Sequence, residues 1–233
     1  MVKKLILVFT LLISFKCAFL QNIVKEGKIL YAISYQNLPP EMLRNEHMLP
    51  HDASFYFKGS KTRMEMGISG IGKNTTIYDG DSARNIILLN IKGKKFALIK
   101  SDSEMVEIRK SMSPKDSNST FLGVNIVDEY KKIVDFNCQK AIVTRKVNGI
   151  TKETICWFTK EIPPYNTQND PNLKSIPGFL MQYSLLESGI SMTMTVKLVM
   201  KLPIENSYFE IPAGYQVVSE KELNNILMVM QSN

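Results

Sequence analysis

The sequence predicts a mainly β protein: an antiparallel meander, sandwich or barrel of roughly ten short strands, with few helices. Two observations predict this class. Apolar and polar residues alternate with a period of two along most of the chain, and turn signals separate these runs at intervals of roughly 8–12 residues. The composition, 44% hydrophobic and 22% charged over 233 residues, is that of an ordinary globular domain.

The first twenty residues have the pattern of a secretory signal peptide. Lys3 and Lys4 precede an apolar run from Leu5 to Ile13, which is too short to span a bilayer. Cys17 offers a thiol for a lipid anchor, but Lys16 stands where such sites want a small residue. We therefore expect a signal peptide over 1–20 and a single β-rich domain over 21–233, exported to the periplasm or the cell envelope and extracellular space, with no transmembrane span in the mature chain.

The net charge argues against a nucleic-acid partner. The formal charge of +7 comes from 29 basic and 22 acidic residues. Removing 1–20 takes away three lysines and no acid, which leaves 26 against 22, or +4. The remaining lysines are scattered, whereas a nucleic-acid site needs a dense basic stripe with aromatic residues between.

The strands follow from alternation and from turn residues. Asp79-Gly80, Lys92-Gly93 and Asn148-Gly149 mark tight connections, of which Asn-Gly is the strongest hairpin signal. The predicted strands contain Ile29–Tyr35, Phe55–Phe57, the runs on either side of Asp79-Gly80, "KKFALIKS", Ala141–Lys146, Glu153–Phe158, Gly178–Leu186 and Ile190–Met200.

Three segments have helical signals. Pro40 and Glu41 fit a helix start that ends before Pro50. The segment Val124–Lys132 fits either a short helix or a connection. The clearest helix is the last, "SEKELNNILMVMQ", where Ser219 and Glu222 form a capping box ahead of one apolar face.

Two cysteines remain after the signal peptide, Cys138 and Cys156. In an oxidising compartment such a pair often forms a disulfide. A two-residue turn at 148–149 would place Cys138 opposite Thr159, so a disulfide would need a bulge or a longer loop. The alternative is two small buried apolar side chains.

The sequence contains no recognisable catalytic or metal-binding motif. His47 and His51 have the spacing of helical metal ligands, but Pro50 disfavours a helix there. No Gly-x-Ser-x-Gly elbow occurs, and the glycine-rich stretch 67–76 lacks the ending of a phosphate-binding loop, so it predicts a hairpin loop. We expect no cofactor and no enzyme activity.

The methionines are the most informative apolar residues. Thirteen occur, and Met192 and Met194 alternate with Ser191, Thr193 and Thr195 along one strand. Methionine is flexible and fills irregular cores, but it also lines permissive binding surfaces. The face is therefore either packed core or the lining of a groove for a hydrophobic ligand, and its proposed ligand-binding residues are Met181, Tyr183, Met192, Met194 and Val196.

The motifs "ASFYFKGSKTRMEM", "LLNIKGKKFALI", "CQKAIV", "WFTKEIPP", "SIPGFLMQY" and "FEIPAGYQ" occur in the order seen in secreted Bacteroidota proteins. The chain from about Gly27 to Gln216 resembles the GLPGLI family and its sister domain of unknown function. Only Pro177-Gly178 remains of the motif that names the family, so the sister domain is the better match.

The resemblance implies a fold similar to the periplasmic lipoprotein carriers, a half-barrel in which a curved antiparallel sheet wraps a helical lid over an apolar cavity. Strands Phe179–Leu185 and Ile190–Leu198 would lie side by side at its centre, and Trp157 would anchor the core. The family has no established activity and so implies no catalytic residues.

These observations predict an exported, non-catalytic protein that binds or carries a hydrophobic small molecule, a lipid or a lipoprotein acyl chain. The alternative is a structural or protein-interaction module of the cell envelope with an envelope protein as partner. A hydrolase with unrecognised residues is the third hypothesis.

Overall fold

The structure is a computed structural model that describes residues 23–68, 72–91, 93–112, 119–165, 167, 172–187 and 190–231. The expected signal peptide and Cys17 lie outside the described residues. Twelve strands lie within them: β1 Glu26–Gln36, β2 Asp52–Lys58, β3 Lys61–Ile68, β4 Gly72–Asp79, β5 Arg84–Ile91, β6 Lys94–Ser101, β7 Ser119–Ile133, β8 Phe136–Val147, β9 Ile150–Thr159, β10 Phe179–Glu187, β11 Ile190–Met200 and β12 Gln216–Val217.

The described helices are few and short. The α-helices are α1 Pro40–Leu43, α2 Asp102–Met112 and α3 Glu220–Gln231, and two 3-10 turns span Glu46–Met48 and Asn206–Phe209. Helix α3 begins at the predicted capping box: the Ser219 amide and hydroxyl each donate to the Glu222 carboxylate at 2.7 Å. Helix α2 was not predicted, although Ser101 and Glu104 make the same reciprocal arrangement.

All twelve strands form one curved sheet in the order β12-β6-β5-β4-β3-β2-β1-β11-β10-β9-β8-β7. This confirms the predicted mainly β class and its antiparallel pairing. Strand β12 is the exception, since it pairs in parallel with β6 through Gln216 and Val217. Alternation cannot reveal a two-residue strand, so β12 was not among the roughly ten strands predicted.

Strand β7 corrects a second expectation. The segment Val124–Lys132 is neither a helix nor a connection but part of a fifteen-residue strand. Its pairing with β8 brings Val124 opposite Val143, and both pack in the same apolar cluster. The register of β7 shifts twice, between Phe121 and Gly123 and between Val127 and Tyr130. These bulges break the period of two and hide the strand from sequence analysis.

The Asn148-Gly149 turn forms as predicted. Both residues have positive φ, 50° and 81°, as the tightest hairpin turn requires. Val147 pairs with Ile150 directly across it. The loop at 69–71, expected from the glycine-rich stretch, and residues 188–189 between β10 and β11 lie outside the described residues.

The core consists of apolar clusters on both faces of the sheet. The largest contains apolar side chains of β1, β2, β10 and β11 together with Ile162 and Tyr165 from the segment after β9. A second cluster packs Ile204 and Phe209 against the reverse face of β2, β4, β5 and β6. A third places Leu173 and Ile176 against β8, β9 and β10.

Candidate functional site: an apolar sheet face

Two rows of side chains cross the sheet from β1 to β6 on one face, here called the apolar face. Directly paired residues of neighbouring strands share a face, and the register therefore defines both rows. The first row is Tyr31, Ala53, Met66, Asn74, Leu89 and Phe96, and the second is Ile29, Phe55, Met64, Thr76, Ile87 and Leu98. Ten of these twelve residues are apolar.

Other segments of the chain cover the two ends of the apolar face. At the β1–β2 end, the Tyr165 ring packs on Phe57 with ring centroids 5.1 Å apart, and Ile162 joins the same cluster. At the β6 end, Val218 and Leu223 pack on Phe96 and Leu98. Leu223 belongs to α3, so this helix covers one end of the sheet.

The middle of the apolar face is less covered than its ends. Here lie six half-buried residues of β3, β4 and β5, which we call the central strip: Met64, Met66, Asn74, Thr76, Ile87 and Leu89. Met64 and Met66 pack against the largest cluster, whereas Ile87 and Leu89 pack against the cluster under α3. The strip therefore joins two packed regions with apolar side chains that remain partly accessible.

The five residues proposed from the sequence all lie in or against the largest cluster. Met181, Met194 and Val196 are buried, whereas Tyr183 and Met192 are half-buried at its margin. The structure therefore brings the five together. Whether they contact a ligand stays a prediction, and three of them already pack against other residues of the chain.

Tyr183 has an unusual polar contact. Its hydroxyl donates to Met194 Sδ at 3.1 Å, and a thioether is a weak acceptor. Burial raises the pKa of the Tyr183 phenol, with a smaller contribution from Cys156. The phenol is therefore neutral at neutral pH, and its hydroxyl acts here as a hydrogen-bond donor within the cluster.

The hydroxyl side of β11 contributes polar contacts. Thr193 Oγ1 and Ser184 Oγ are 2.8 Å apart, and the Gln182 amide donates to Thr195 Oγ1 at 3.0 Å. Lys197 is exposed and forms an ion pair with Asp52. The alternation seen in the sequence therefore separates packed methionines from a hydrogen-bonded polar surface.

The two cysteines are buried free thiols. Cys156 pairs with Ala141, three residues along β8 from Cys138, and the two thiols belong to different clusters. The disulfide allowed by the sequence is thus not formed, because the regular hairpin register separates its partners. Burial raises the pKa of Cys138 and of Cys156 to about 11, so neither is an activated nucleophile.

Sequence analysis missed the central strip. Met64 and Met66 lie in "KTRMEM", where Arg63 and Glu65 drew attention to charge. The signal was present as alternation, since Arg63 and Glu65 form an ion pair with a nitrogen–oxygen distance of 2.7 Å on the reverse face. Only the register of β3, β4 and β5 shows that these methionines line up with Ile87 and Leu89.

Within the described residues, no helix is both long and apolar enough to cross a membrane. In the same part of the chain, no three His, Cys, Asp or Glu side chains are grouped so that they could hold a metal ion. His51 instead packs edge-on against Tyr35, with ring centroids 6.3 Å apart.

A mainly β protein with a partly covered apolar face is the class that the geometry defines. The chain belongs to the family described as a domain of unknown function, DUF4412, whose model matches residues 41–215. This agrees with the expected domain of unknown function, whereas membership of the GLPGLI family is not shown. No curated protein matches the chain.

Several solved structures share a loose likeness with this fold. PNGF-II has a TM-score of 0.49 at 13% identity; the match covers 89% of this chain but only 33% of PNGF-II, so the chain spans about one third of that protein. An uncharacterised conserved protein from Thermus thermophilus has a TM-score of 0.45 at 10% identity, with 86% of this chain and 93% of that one covered.

The Mycobacterium tuberculosis lipoprotein LppX has a TM-score of 0.37 at 11% identity, with 77% of this chain and 89% of LppX covered. At such TM-scores these likenesses are too loose to assign a function to this chain.

Proposed function

We propose that the protein is an exported, non-catalytic binding or carrier protein for a hydrophobic ligand such as a lipid or an acyl chain. The observation that carries this proposal is the central strip, which continues two packed apolar clusters across β3, β4 and β5 with half-buried side chains. The charged and apolar pattern of residues 1–20 supports export.

Binding would follow from burial of apolar surface alone. Each Å² of apolar surface removed from water contributes about 25 cal/mol, so an alkyl chain laid along four apolar side chains gains several kcal/mol before its ordering costs. Met64 and Met66 suit such a surface because an unbranched thioether adapts to ligands of different shape. The five residues proposed from the sequence would form the packed side of the same region.

Native mass spectrometry of the protein purified from its own host tests this function. We expect a co-purified lipid on the wild type and a marked loss of it in Met66→Gln, because the amide adds polarity to the strip at nearly constant volume. Ile155→Gln changes an exposed residue of β9 outside the apolar face and is the matched control. If the purified wild-type protein carries no lipid and binds none of a panel of added lipids, the proposal is overturned.

The second candidate is an interaction module of the cell envelope. It is favoured by strand β7, which lies at the end of the sheet order and exposes Leu122 and Tyr130. An extended segment of another protein could add to such an edge. Pull-down from envelope fractions with wild type and with Leu122→Gln, which makes an exposed apolar residue of this edge polar, distinguishes this candidate: partner loss without lipid loss supports it.

A further inference from the structure

Asn74 is the polar exception in the first row of the apolar face. It pairs with Met66 on one side and with Leu89 on the other. Its side-chain oxygen Oδ1 is buried and has no hydrogen-bond partner among the described residues. Nearly all buried polar atoms in folded proteins are paired, so a buried acceptor without a donor needs a specific explanation.

Neither strand propensity nor packing explains why an asparagine occupies position 74. Asparagine is depleted in strands, and an apolar residue would continue the row. Its neighbour Thr76 occupies the equivalent place in the second row, between Met64 and Ile87. The two residues put a polar spot in the middle of the central strip, and Asn74 brings an acceptor that the protein itself does not use.

We propose that the Asn74 side chain turns so that Oδ1, which neighbouring atoms cover in the structure, accepts a hydrogen bond from the ligand of the central strip. The ligand is therefore an uncharged amphiphile carrying a hydroxyl or an amide N–H on an alkyl chain. This inference rests on the proposed function. Neither row of the apolar face contains a charged residue, so a carboxylate or phosphate head group would find no counter-charge there. A fatty alcohol, a monoacylglycerol or a fatty amide has the required donor.

Matched ligands test the donor directly. The probes are 1-decanol, which has a hydroxyl donor, and decyl methyl ether, which has the same chain and only an acceptor. Their affinities are measured by displacement of 1-anilinonaphthalene-8-sulfonate from the mature protein. We expect wild type to bind the alcohol about five- to tenfold more tightly than the ether, as one net hydrogen bond provides.

Matched variants assign the preference to Asn74. Asn74→Leu should bind both probes with similar affinity, because the acceptor is gone and the apolar row is continuous. Asn90→Leu makes the same chemical change one residue after Leu89 on β5. Because side chains alternate along a strand, Asn90 faces the opposite side of the sheet, and this variant should keep the preference for the alcohol. Thermal unfolding of both variants checks that they are folded.

The outcomes separate this inference from the proposed function. If wild type binds neither probe, the proposed function itself fails. If wild type binds both equally, the function stands and the role of Asn74 is overturned. A preference for the alcohol that persists in Asn74→Leu also overturns it.

Discussion

At the scale of single residues, Met194 shows how burial decides between core and groove. It is 2% exposed, pairs with Ile33 and Tyr183, and accepts the Tyr183 hydroxyl hydrogen bond. Its side chain is therefore enclosed on several sides by the largest cluster. Met192, two residues earlier on the same strand, remains half-buried. Sequence alternation gives both residues the same face and cannot rank their burial.

Met194→Asp should strongly reduce the free energy of unfolding. It deletes a buried apolar side chain and buries a carboxyl group without a partner, and together these cost about 3–5 kcal/mol. Met194→Leu nearly conserves volume and should cost less than about 1.5 kcal/mol. Urea unfolding followed by circular dichroism measures both values. An Asp variant as stable as the Leu variant would show that Met194 faces open space.

Glu65 is a largely buried carboxylate whose environment makes stability depend on pH in the acid range. Burial alone would raise its pKa, but hydrogen bonds and attraction from Lys73 and Arg63 outweigh burial and lower the pKa below its usual value. The Lys73 nitrogen is 2.6 Å from Glu65 Oε2. A carboxyl with a lowered pKa in the folded state stabilises the fold above its unfolded pKa, and that contribution is lost as pH falls.

Glu65→Gln should therefore be less stable than wild type at pH 7, and the difference should shrink as the pH falls from about 5 toward 3. Unfolding in urea across this range measures the difference. The control is Glu129→Gln, which removes the exposed partner of Lys140 and should change stability little at any pH. A difference for Glu65→Gln that grows on acidification contradicts the argument.

At the scale of single elements, the start of β10 depends on a close approach of two backbones. Gly178 precedes Phe179, and a side-chain carbon at Gly178 would overlap the Thr159 carbonyl oxygen. The glycine is needed there for lack of space rather than for its backbone angles, since its φ is not positive. The three residues that follow, Phe179, Leu180 and Met181, are almost completely buried, so the strand cannot shift to make room.

Gly178→Ala should destabilise the protein by about 2 kcal/mol or more, because backbone atoms of β9 or β10 must move to admit the methyl group. Gly67→Ala is the matched control, since a side chain at that strand position meets nothing within 4 Å and its φ is not positive. Thermal and chemical unfolding compare the two. Equal stability of both variants would show that β9 and β10 yield to the added carbon easily.

Single elements also show why prediction succeeds in some places and fails in others. The Ser219–Glu222 capping box and the Asn148-Gly149 turn are local, because the residues that define them lie within four positions. Helix α2 has an equally local cap but no clear apolar face, which is why it was missed. Strand β7 was missed because its bulges conceal the alternation, and because its partner Val143 lies nineteen residues away from Val124.

At the scale of the whole molecule, β11 joins the two halves of the sheet. It lies between β1 and β10, and it is the partner that connects β1 to the strands from β7 to β10. Ile33 pairs with Met194, so strands from opposite ends of the chain meet at the centre. The central cluster therefore requires residues far apart in sequence, which neither a turn nor a period can reveal.

A chain that ends before Ile190 should fail to fold, because it lacks β11 and with it the pairing of β1 and β10. The full mature chain should refold slowly, on the scale of milliseconds to seconds or longer, since its central pairing is non-local. Circular dichroism and stopped-flow refolding measure these properties. A chain ending after Ser219 retains β11, Ile204 and Phe209 and lacks α3; it should keep its sheet signal while losing stability at the β6 end. A truncated chain without β11 that unfolds cooperatively would contradict this account.

Sequence reasoning predicted the mainly β class and the antiparallel pairing, because alternation and turn residues act at short range. It placed Met181 and Met194 on a shared apolar surface but could not find the central strip. That strip exists only once β3, β4 and β5 adopt one register, as Met66, Asn74 and Leu89 show. The strip could not be predicted because register depends on how pairs of strands align, whereas alternation and turn residues act within one segment.

A sheet this wide could act as a template that recruits further molecules along its border. The border at β7 is interrupted, because the bulges at 121–123 and 127–130 separate it into short straight pieces and Asp128 and Lys132 stand exposed beyond Val127. The longest uncharged straight piece is 123–127. Addition of a second molecule as a further strand on this border is therefore disfavoured, and the longest straight match open to an added strand is about five residues.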